Sequence, residues 1–161
     1  MKQQFTTPCF IRKNSPELRK NLEELGYKLN HGKWMGKHLA TFRIMEAKEW
    51  RYVASPEWDL PNNPDLDISI DCGVNERIFL AIAGLRNDSD IYQWFITPEG
   101  IWVYNKGNDS ILEVSDKWRK ANVEEIINHF KDWDMNTIAL YIGYAILGIL
   151  GLALLVFAIL V

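Results

Sequence analysis

The acidic residues Asp65, Asp67, Asp71 and Glu76 are the side chains of this sequence best suited to bind a divalent cation. Carboxylate oxygens are the ligands that Ca²⁺ and Mg²⁺ prefer, but the spacing here is not that of an EF-hand loop. Carboxylates at alternate positions of a strand are more typical of the solvated face of a half-buried sheet. We therefore interpret these residues as a wet sheet face, and we expect no metal site and no cofactor.

Histidine and cysteine are the other residue types that could carry out chemistry. The three histidines, His31, His38 and His129, do not have the spacing of zinc ligands. Each of the two cysteines, Cys9 and Cys72, lies in an apolar, strand-like segment, which is typical of a buried and reduced thiol in a cytosolic domain. Because the sequence also lacks a nucleophile motif such as G-x-S-x-G, we predict that the protein is not an enzyme.

A loop of glycine, lysine, histidine and tryptophan occupies residues 31–38. Backbone freedom, cations and an aromatic ring are what a phosphate or nucleotide contact uses. The spacing of a Walker A loop is absent, and a solvated connection has the same composition. Trp34, Lys33 and Lys37 are therefore candidates for partner binding, with a simple exposed turn as the alternative.

Trp58 is the strongest single candidate for a protein contact. It lies in a segment over residues 55–65 that contains Pro56, Pro61 and Pro64, and such a segment is a surface loop rather than the interior of a strand. Large aromatic side chains are enriched in protein interfaces. The alternative is a loop that packs as a lid on the sheet.

Charge is unevenly distributed along the chain. Residues 1–54 contain eleven Lys and Arg against five Asp and Glu, a balance of +6, whereas residues 55–134 contain seven against sixteen, a balance of −9. If the two halves are separate in space, the basic half would face anionic lipid or nucleic acid. If they interleave in one sheet, they neutralise each other. We favour interleaving, and we expect no nucleic-acid partner.

Three helices and several strands are predicted from local signals. Ser15, Pro16 and Gly26 bracket a helix over residues 16–25, Asn75 begins a helix over 76–85, and Asn122 with Glu125 resembles the capping box of a third helix. Hydrophobic alternation and turn residues predict the strands. These are residues 5–12, 39–45, 50–54, 66–72, 92–97, 101–105 and, as a short strand, 111–114. The order indicates an α+β fold, a two-layer domain with a mostly antiparallel sheet, over residues 1–134.

Residues 135–161 are predicted to form one C-terminal transmembrane helix. Residues 138–161 contain no charged side chain, and as a helix they would reach about 36 Å, enough to cross a bilayer core of ~30 Å. Trp133, Tyr141 and Tyr144 would lie at the entering interface. Because the cationic residues lie before the span and no signal peptide is recognisable, we expect a tail-anchored, single-pass protein of the inner membrane with a cytoplasmic N-terminal domain.

Small residues in the predicted span allow a second role. Ala139 and Gly143 form a small-xxx-small pair, and Gly148 and Gly151 would let another helix approach closely. The span could therefore assemble into a homo-oligomer, which makes a membrane-perturbing effector the alternative to a passive anchor. No Asp, Glu, Lys, Arg or His lies within the span, which argues against a proton relay or a transporter.

Two segments carry a resemblance: residues 7–27, TPCFIRKNSPELRKNLEELGY, and residues 67–90, DISIDCGVNERIFLAIAGLRNDSD. Together they resemble small uncharacterised proteins encoded by phages and other mobile elements of gut bacteria. This resemblance implies a genomic context and no particular chemistry. Together with the predicted membrane anchor, we expect a domain that binds or regulates a protein partner at the cytoplasmic face of the membrane. Superinfection exclusion, interference with host defence and control of lysis are all compatible with this role.

Overall fold

The computed structural model describes residues 5–30, 36–45, 47–55 and 68–131. The chain divides into two compact units, Met1–Ile126 and Ile127–Val161. The first unit contains two β-sheets and two complete helices, and the third helix begins near its end. In the second unit, residues 127–131 continue that helix.

The secondary structure confirms an α+β fold with three helices. The helices are α1 (Pro16–Leu25), α2 (Glu76–Ala83) and α3, which is described over residues 123–131. The strands are β1 (Cys9–Ile11), β2 (Lys28–Leu29), β3 (His38–Ile44), β4 (Glu49–Ser55), β5 (Ile70–Asp71), β6 (Gln93–Ile96), β7 (Trp102–Asn105) and β8 (Arg119–Lys120).

The ends of α1 follow from local side-chain chemistry. The Ser15 hydroxyl accepts a hydrogen bond from the Leu18 N–H at 3.1 Å, and Pro16 occupies the first turn, where a missing N–H does no harm. Gly26 ends the helix with φ of 108°, a left-handed conformation that favours glycine. The helix predicted from the sequence is therefore confirmed at both ends.

Helices α2 and α3 also begin at the predicted caps. The Asn75 side chain accepts from the Ile78 N–H at 3.0 Å. At α3, the Asn122 side chain accepts from the Glu125 N–H at 2.9 Å, while the Glu125 carboxylate accepts from the Asn122 N–H at 3.0 Å. This reciprocal pair is a capping box, and it satisfies two backbone donors at the start of the helix.

The larger sheet has five strands in the order β2-β4-β3-β1-β5. The β3–β4 hairpin is antiparallel, as predicted, and β1 is antiparallel to β3. However, β1 pairs with β5 and β2 pairs with β4 in parallel. The prediction of one mostly antiparallel sheet is therefore corrected to two sheets, of which this one is mixed. Parallel neighbours come from remote segments of the chain, and local periodicity contains no signal for such pairing.

Side chains are buried on both faces of this sheet. Alternate side chains of β1 and β3, including Cys9, Ile11 and Leu39, are fully buried on the face towards α1 and α2. On the opposite face, Phe10 and Ala40 form a smaller buried cluster against which Val53 packs. Burial on both faces explains why β1 is apolar at every position rather than alternating.

The smaller sheet has the order β7-β6-β8 and is antiparallel throughout. The predicted hairpin of β6 and β7 is confirmed. Trp94 lies directly opposite Tyr104, with ring centroids 5.1 Å apart, and the Trp102 ring is 6.3 Å from the Trp94 ring. These aromatic cross-strand contacts stabilise the pairing of the two strands.

Three local predictions were wrong in detail. Residues Ile111–Glu113 form a 3₁₀ turn rather than a strand, and the β8 strand was not predicted. Strand β5 is only Ile70–Asp71, and Ile68, which was expected on the buried side of a longer strand, is 76% exposed. Short apolar runs do not by themselves distinguish a strand from a turn.

The expected transmembrane helix over 135–161 and the domain boundary after residue 134 lie outside the described residues. Within the described part of the chain, no helix has the length and apolar character needed to cross a membrane. The interpretation of the C-terminal segment therefore depends on its sequence.

Candidate functional site

Among the site residues predicted from the sequence, Lys37 lies in the described part of the chain, immediately before β3, and its side chain is exposed. The other candidates for partner binding, the membrane interface and helix packing lie outside the described residues. These are Lys33, Trp34, Trp58, Trp133, Tyr141, Tyr144, Ala139, Gly143, Gly148 and Gly151.

Lys37 lies just past the last paired residues of β1 and β3, which are Ile11 and Leu39. Three residues beyond that pair on each strand, the Asn14 side-chain amide donates to the Gly36 carbonyl at 2.6 Å. Extended towards this contact, the register places Arg12 opposite His38 and Lys13 opposite Lys37. Because successive side chains of a strand point to opposite faces, it places the first pair on the face of Phe10 and Ala40 and the second pair on the other face. We call Arg12, Lys13, Lys37 and His38 the strand-end cluster.

The carboxyl ends of two strands meet at the edge of the sheet where the strand-end cluster lies. Strands β1 and β5 are parallel and adjacent, so their carboxyl ends lie together, and each leads into a helix. The Arg12 N–H donates to the Gly73 carbonyl at 2.7 Å, which joins the two strand ends. Ligand sites of sheets with parallel strands commonly lie at such an edge.

Arg12 is held in place by a carboxylate and a ring. Its Nη1 donates to Asp71 Oδ1 at 2.7 Å, and its guanidinium carbon lies 5.4 Å from the Phe10 ring centroid. Partial burial alone would raise the pKa of Asp71, but the hydrogen bonds from Arg12 and from the Gly73 N–H outweigh it and lower that pKa below its ordinary value. Asp71 is therefore a fixed anion that orients Arg12.

Lys13 and Lys37 differ in their pairing. Lys13 forms an ion pair with Glu76 in the first turn of α2. Lys37 forms no ion pair with any residue that the structure describes. Since Asp71 and Glu76 balance Arg12 and Lys13, the positive charge of Lys37 is the surplus at this edge.

These ion pairs also bear on the uneven charge of the sequence. Arg12 and Lys13 belong to the basic half of the chain, and Asp71 and Glu76 belong to the acidic half. The two halves therefore meet and neutralise each other at this edge. This is the interleaved arrangement that the sequence favoured.

His38 has an unusual environment for a polar side chain. It is only 4% exposed, and its Nδ1 is buried without a hydrogen-bond partner in the part of the chain that the structure describes. His38 shares a sheet face with Ala40, which packs against Phe10, and Arg12 lies over that same ring. A buried polar atom without a partner costs about 1–3 kcal/mol. The unpartnered Nδ1 of His38 therefore lowers the stability of the fold.

Two of the acidic residues considered as cation ligands form ion pairs in the structure. Asp71 binds Arg12 and Glu76 binds Lys13, while Asp65 and Asp67 lie outside the described residues. Within the described ranges, no group of His, Cys, Asp and Glu side chains could hold a metal ion. Asp71 and Glu76 therefore bind cationic side chains.

Both cysteines are free and buried beneath the sheet. Cys9 Sγ lies 3.5 Å from Thr41 Oγ1 and 3.8 Å from the Phe79 carbonyl oxygen. A hydrogen bond with Cys9, together with burial, raises the pKa of the Cys72 thiol far above its ordinary value. Because the thiolate is the nucleophilic form, this environment keeps Cys72 unreactive.

Sequence reasoning did not select Arg12 and Lys13 as site residues. The sequence marks them only by their position, since these two cationic residues come directly before Asn14 and Ser15 at the start of α1. The pairing that places them opposite His38 and Lys37 depends on the register of β1 and β3, which became visible only in the structure.

The chain matches no protein-family model, no curated protein and no solved structure.

Proposed function

We propose that the protein is anchored in a membrane by residues 135–161 and that its α+β domain binds or regulates a partner at the cytoplasmic surface. The observation that carries this proposal is the absence of any charged side chain over residues 138–161. Fifteen of these residues are Leu, Ile, Val or Phe. At −0.3 to −0.6 kcal/mol each, they favour insertion by roughly 4–9 kcal/mol.

The distribution of cations supports the orientation. Lys117, Arg119, Lys120 and Lys131 precede the proposed span, and cationic residues near a span are retained on the cytoplasmic side. In a bacterium this places the protein in the inner membrane, with the domain inside the cell. Trp133, Tyr141 and Tyr144 would then contact the interface that the helix enters.

The domain is suited to binding rather than to catalysis. Its carboxylates near the strand-end cluster are paired with cations, and its thiols are buried. Anchoring raises the effective concentration of the domain towards other membrane components without any new contact. Within the genomic context implied by the resemblance, the partner would belong to superinfection exclusion, interference with host defence or control of lysis.

Membrane insertion is tested on the full chain by extraction of membranes with alkaline carbonate. We expect the full chain to stay in the pellet and a chain that lacks residues 135–161 to become soluble. The double variant Leu147→Arg/Leu150→Arg should also leave the membrane, since each arginine at the centre of a span costs ~2.5–3.5 kcal/mol.

The matched control is Leu112→Arg/Val114→Arg, which makes the same type of change at two exposed positions of the domain. It should remain in the pellet. Release of the full chain by carbonate, or retention of the chain without residues 135–161, would overturn the anchor. A crosslinked pull-down that compares the full chain with the shortened chain then tests for a partner at the membrane.

A membrane-perturbing effector is the second proposal, and the spacing of Ala139, Gly143, Gly148 and Gly151 favours it. Replacement of the span by an unrelated apolar helix separates the two roles. A passive anchor tolerates the exchange, whereas an assembling helix loses its activity. Gly143→Leu should likewise abolish crosslinked oligomers only if the helices pack through this face.

A further inference from the structure

We call the face of the larger sheet that carries Phe10, Ala40 and Val53 the outer face, and we propose that residues 56–67 of this chain dock across it. These residues connect β4 to β5 and lie outside the described part of the chain, so the proposal rests on the strands that they join. It is independent of the proposed function, because it does not involve the C-terminal segment. It makes Trp58 a packing residue of the domain rather than a contact for a partner.

The first support is the direction of the connection. Strands β4 and β5 run in the same direction, because β4 and β1 are both antiparallel to β3 and β5 is parallel to β1. Connections between parallel strands of one sheet are almost always right-handed. The connection from β1 through α1 to β2 is of the same kind, but it crosses the sheet in the opposite direction. Two right-handed connections that cross in opposite directions lie on opposite faces, so residues 56–67 are expected on the face opposite α1.

The helices occupy the face opposite the outer face. The Tyr52 hydroxyl donates to Glu23 of α1 at 2.7 Å, and Cys9 Sγ lies 3.8 Å from the Phe79 carbonyl oxygen of α2. Cys9 and Phe10 are consecutive residues of β1, so their side chains point to opposite faces. Both helices therefore lie on the side of Cys9, which leaves the outer face for the connection between β4 and β5.

The second support is the burial of the outer face. Phe10, Ala40 and His38 are 9%, 1% and 4% exposed, although α1 and α2 pack on the other face. A sheet face with nothing packed on it leaves its side chains in water. The Arg12 guanidinium lies 5.4 Å from the Phe10 ring centroid, but this one group does not extend over both strands. A further part of the chain must cover the face, and residues 56–67 begin and end at strands of this sheet.

The third support is charge complementarity. The segment over residues 56–67 contains four carboxylates and no Lys or Arg: Glu57, Asp59, Asp65 and Asp67. On the outer face, the register places Lys28 opposite Arg51, and Arg51 opposite Phe42, which shares a face with Ala40. Lys28 forms no ion pair within the described part of the chain. An acidic segment across this face would lie close to these cations, and opposite charges at short range attract.

Trp58 is placed to cover the centre of the outer face. Ser55 is the last residue of β4 and pairs with His38, and Trp58 follows Ser55 by three residues. Three residues reach at most ~11 Å, and β1 lies two strand spacings of about 4.8 Å from β4. A path from β4 towards β5 passes first over β3 and then over β1, where Ala40 and Phe10 lie. The indole ring supplies the large apolar surface that would bury them.

Docking is tested by the reactivity of a thiol on the outer face. Val53→Cys, in the full chain in an uncharged detergent, places a thiol beside Phe10 and Ala40, while the two native thiols are buried. Its reaction with Ellman's reagent should be about tenfold faster or more when residues 56–67 are exchanged for a glycine–serine linker of equal length. Val74→Cys, at a position that is 69% exposed, is the control and should react at the same rate in both chains. Equal rates for Val53→Cys in the two chains would overturn the proposal.

The contribution of charge is tested with Glu57→Lys/Asp59→Lys. This variant places cations beside Lys28 and Arg51, so its Tm should fall at low ionic strength, and the loss should shrink in about 1 M salt, where the screening length is ~3 Å. Glu113→Lys/Asp116→Lys makes the same change at two exposed positions outside the larger sheet and should leave the Tm nearly unchanged. An equal fall in Tm for both variants would show a general effect of charge and would overturn the proposal.

The contact itself is measured by NMR on the full chain in the same detergent, with ¹³C-labelled alanine methyl groups. The Ala40 signal is the one that disappears in Ala40→Ser. We expect nuclear Overhauser effects between this methyl group and the Trp58 ring, and Trp58→Leu should remove them and move the Ala40 signal. Trp118→Leu is the matched control and should leave the Ala40 signal in place. An Ala40 signal that Trp58→Leu does not move would overturn the docking of residues 56–67, whether or not the linker chain folds.

Discussion

The side-chain amide of Asn14 donates a hydrogen bond of 2.6 Å to the carbonyl oxygen of Gly36. This contact lies beyond the last paired residues of β1 and β3, and it keeps the two segments facing each other where the strands have ended. Arg12, Lys13 and Lys37 lie between the paired strands and this contact, while His38 begins β3. A single side-chain hydrogen bond thus closes the end of this strand pair.

We predict that Asn14→Ala loosens this edge. Loss of the hydrogen bond to Gly36 should lower the free energy of unfolding by about 0.5–1.5 kcal/mol. Urea unfolding of the full chain in detergent, followed by near-UV circular dichroism, measures this effect. Asn108→Ala, at an exposed position, is the control. Equal stability of Asn14→Ala and Asn108→Ala would show that the contact does not hold the edge together.

Parts of the fold with local causes were predictable from the sequence. The Ser15 and Gly26 caps, the Asn75 cap and the Asn122–Glu125 capping box lie within a few residues of the elements they define. The hairpins were similarly marked by short turns between alternating segments. Local side-chain chemistry was therefore sufficient for the three helices and for both hairpins.

The rest depends on contacts between remote segments. Strands of two or three residues are too short to show hydrophobic periodicity. The sequence therefore contained no sign of the parallel pairing of β1 with β5 or of the edge strand β8. The same reason explains why Lys37 was a candidate from its loop composition, whereas Arg12 and Lys13 were not. Their role appears only when the β1–β3 register places them opposite residues 37 and 38.

Glu125 provides a prediction for the dependence of stability on pH. The hydrogen bonds from Arg119, and then the Asn122 N–H, lower the pKa of Glu125 to about 2. A carboxyl with a lowered folded-state pKa contributes stability above its ordinary value near 4.5, and this contribution is lost as the pH falls through about 2. Glu125→Gln keeps a capping side chain but removes the charge.

We therefore expect Glu125→Gln to be less stable than the native chain above pH 5, by less than about 1 kcal/mol because the pair is partly exposed. The difference should vanish near pH 2. Thermal unfolding of both chains across this range is the measurement, and Glu124→Gln at the exposed neighbouring position is the control. A constant difference between pH 7 and pH 2 would contradict the role of the charge.

The two thiols should be inert in the folded protein. Cys9 and Cys72 are buried, and the pKa of Cys72 is raised by its hydrogen bond with Cys9 and by burial. We expect no reaction with Ellman's reagent at pH 8 in the native protein and two equivalents in guanidinium chloride. Rapid reaction of either thiol under native conditions would show that this side of the sheet opens to solvent.

Leu22 should be a major contributor to the stability of the domain. It is fully buried between α1 and the rest of the core, so Leu22→Ala should cost 2–5 kcal/mol of unfolding free energy, since it removes buried methyl groups and leaves a cavity. Leu112→Ala removes the same atoms from a side chain that is 70% exposed and should change stability by less than about 0.5 kcal/mol. Similar effects of both variants in urea unfolding would be inconsistent with the packing described here.

His38 should lower the stability of the fold. Its buried Nδ1 lacks a partner in the described part of the chain, so His38→Leu, which is of similar volume and apolar, should be as stable as the native chain or up to ~1–3 kcal/mol more stable. Urea unfolding of both chains measures the difference. If His38→Leu is the less stable chain, Nδ1 is already satisfied within the protein and carries no cost.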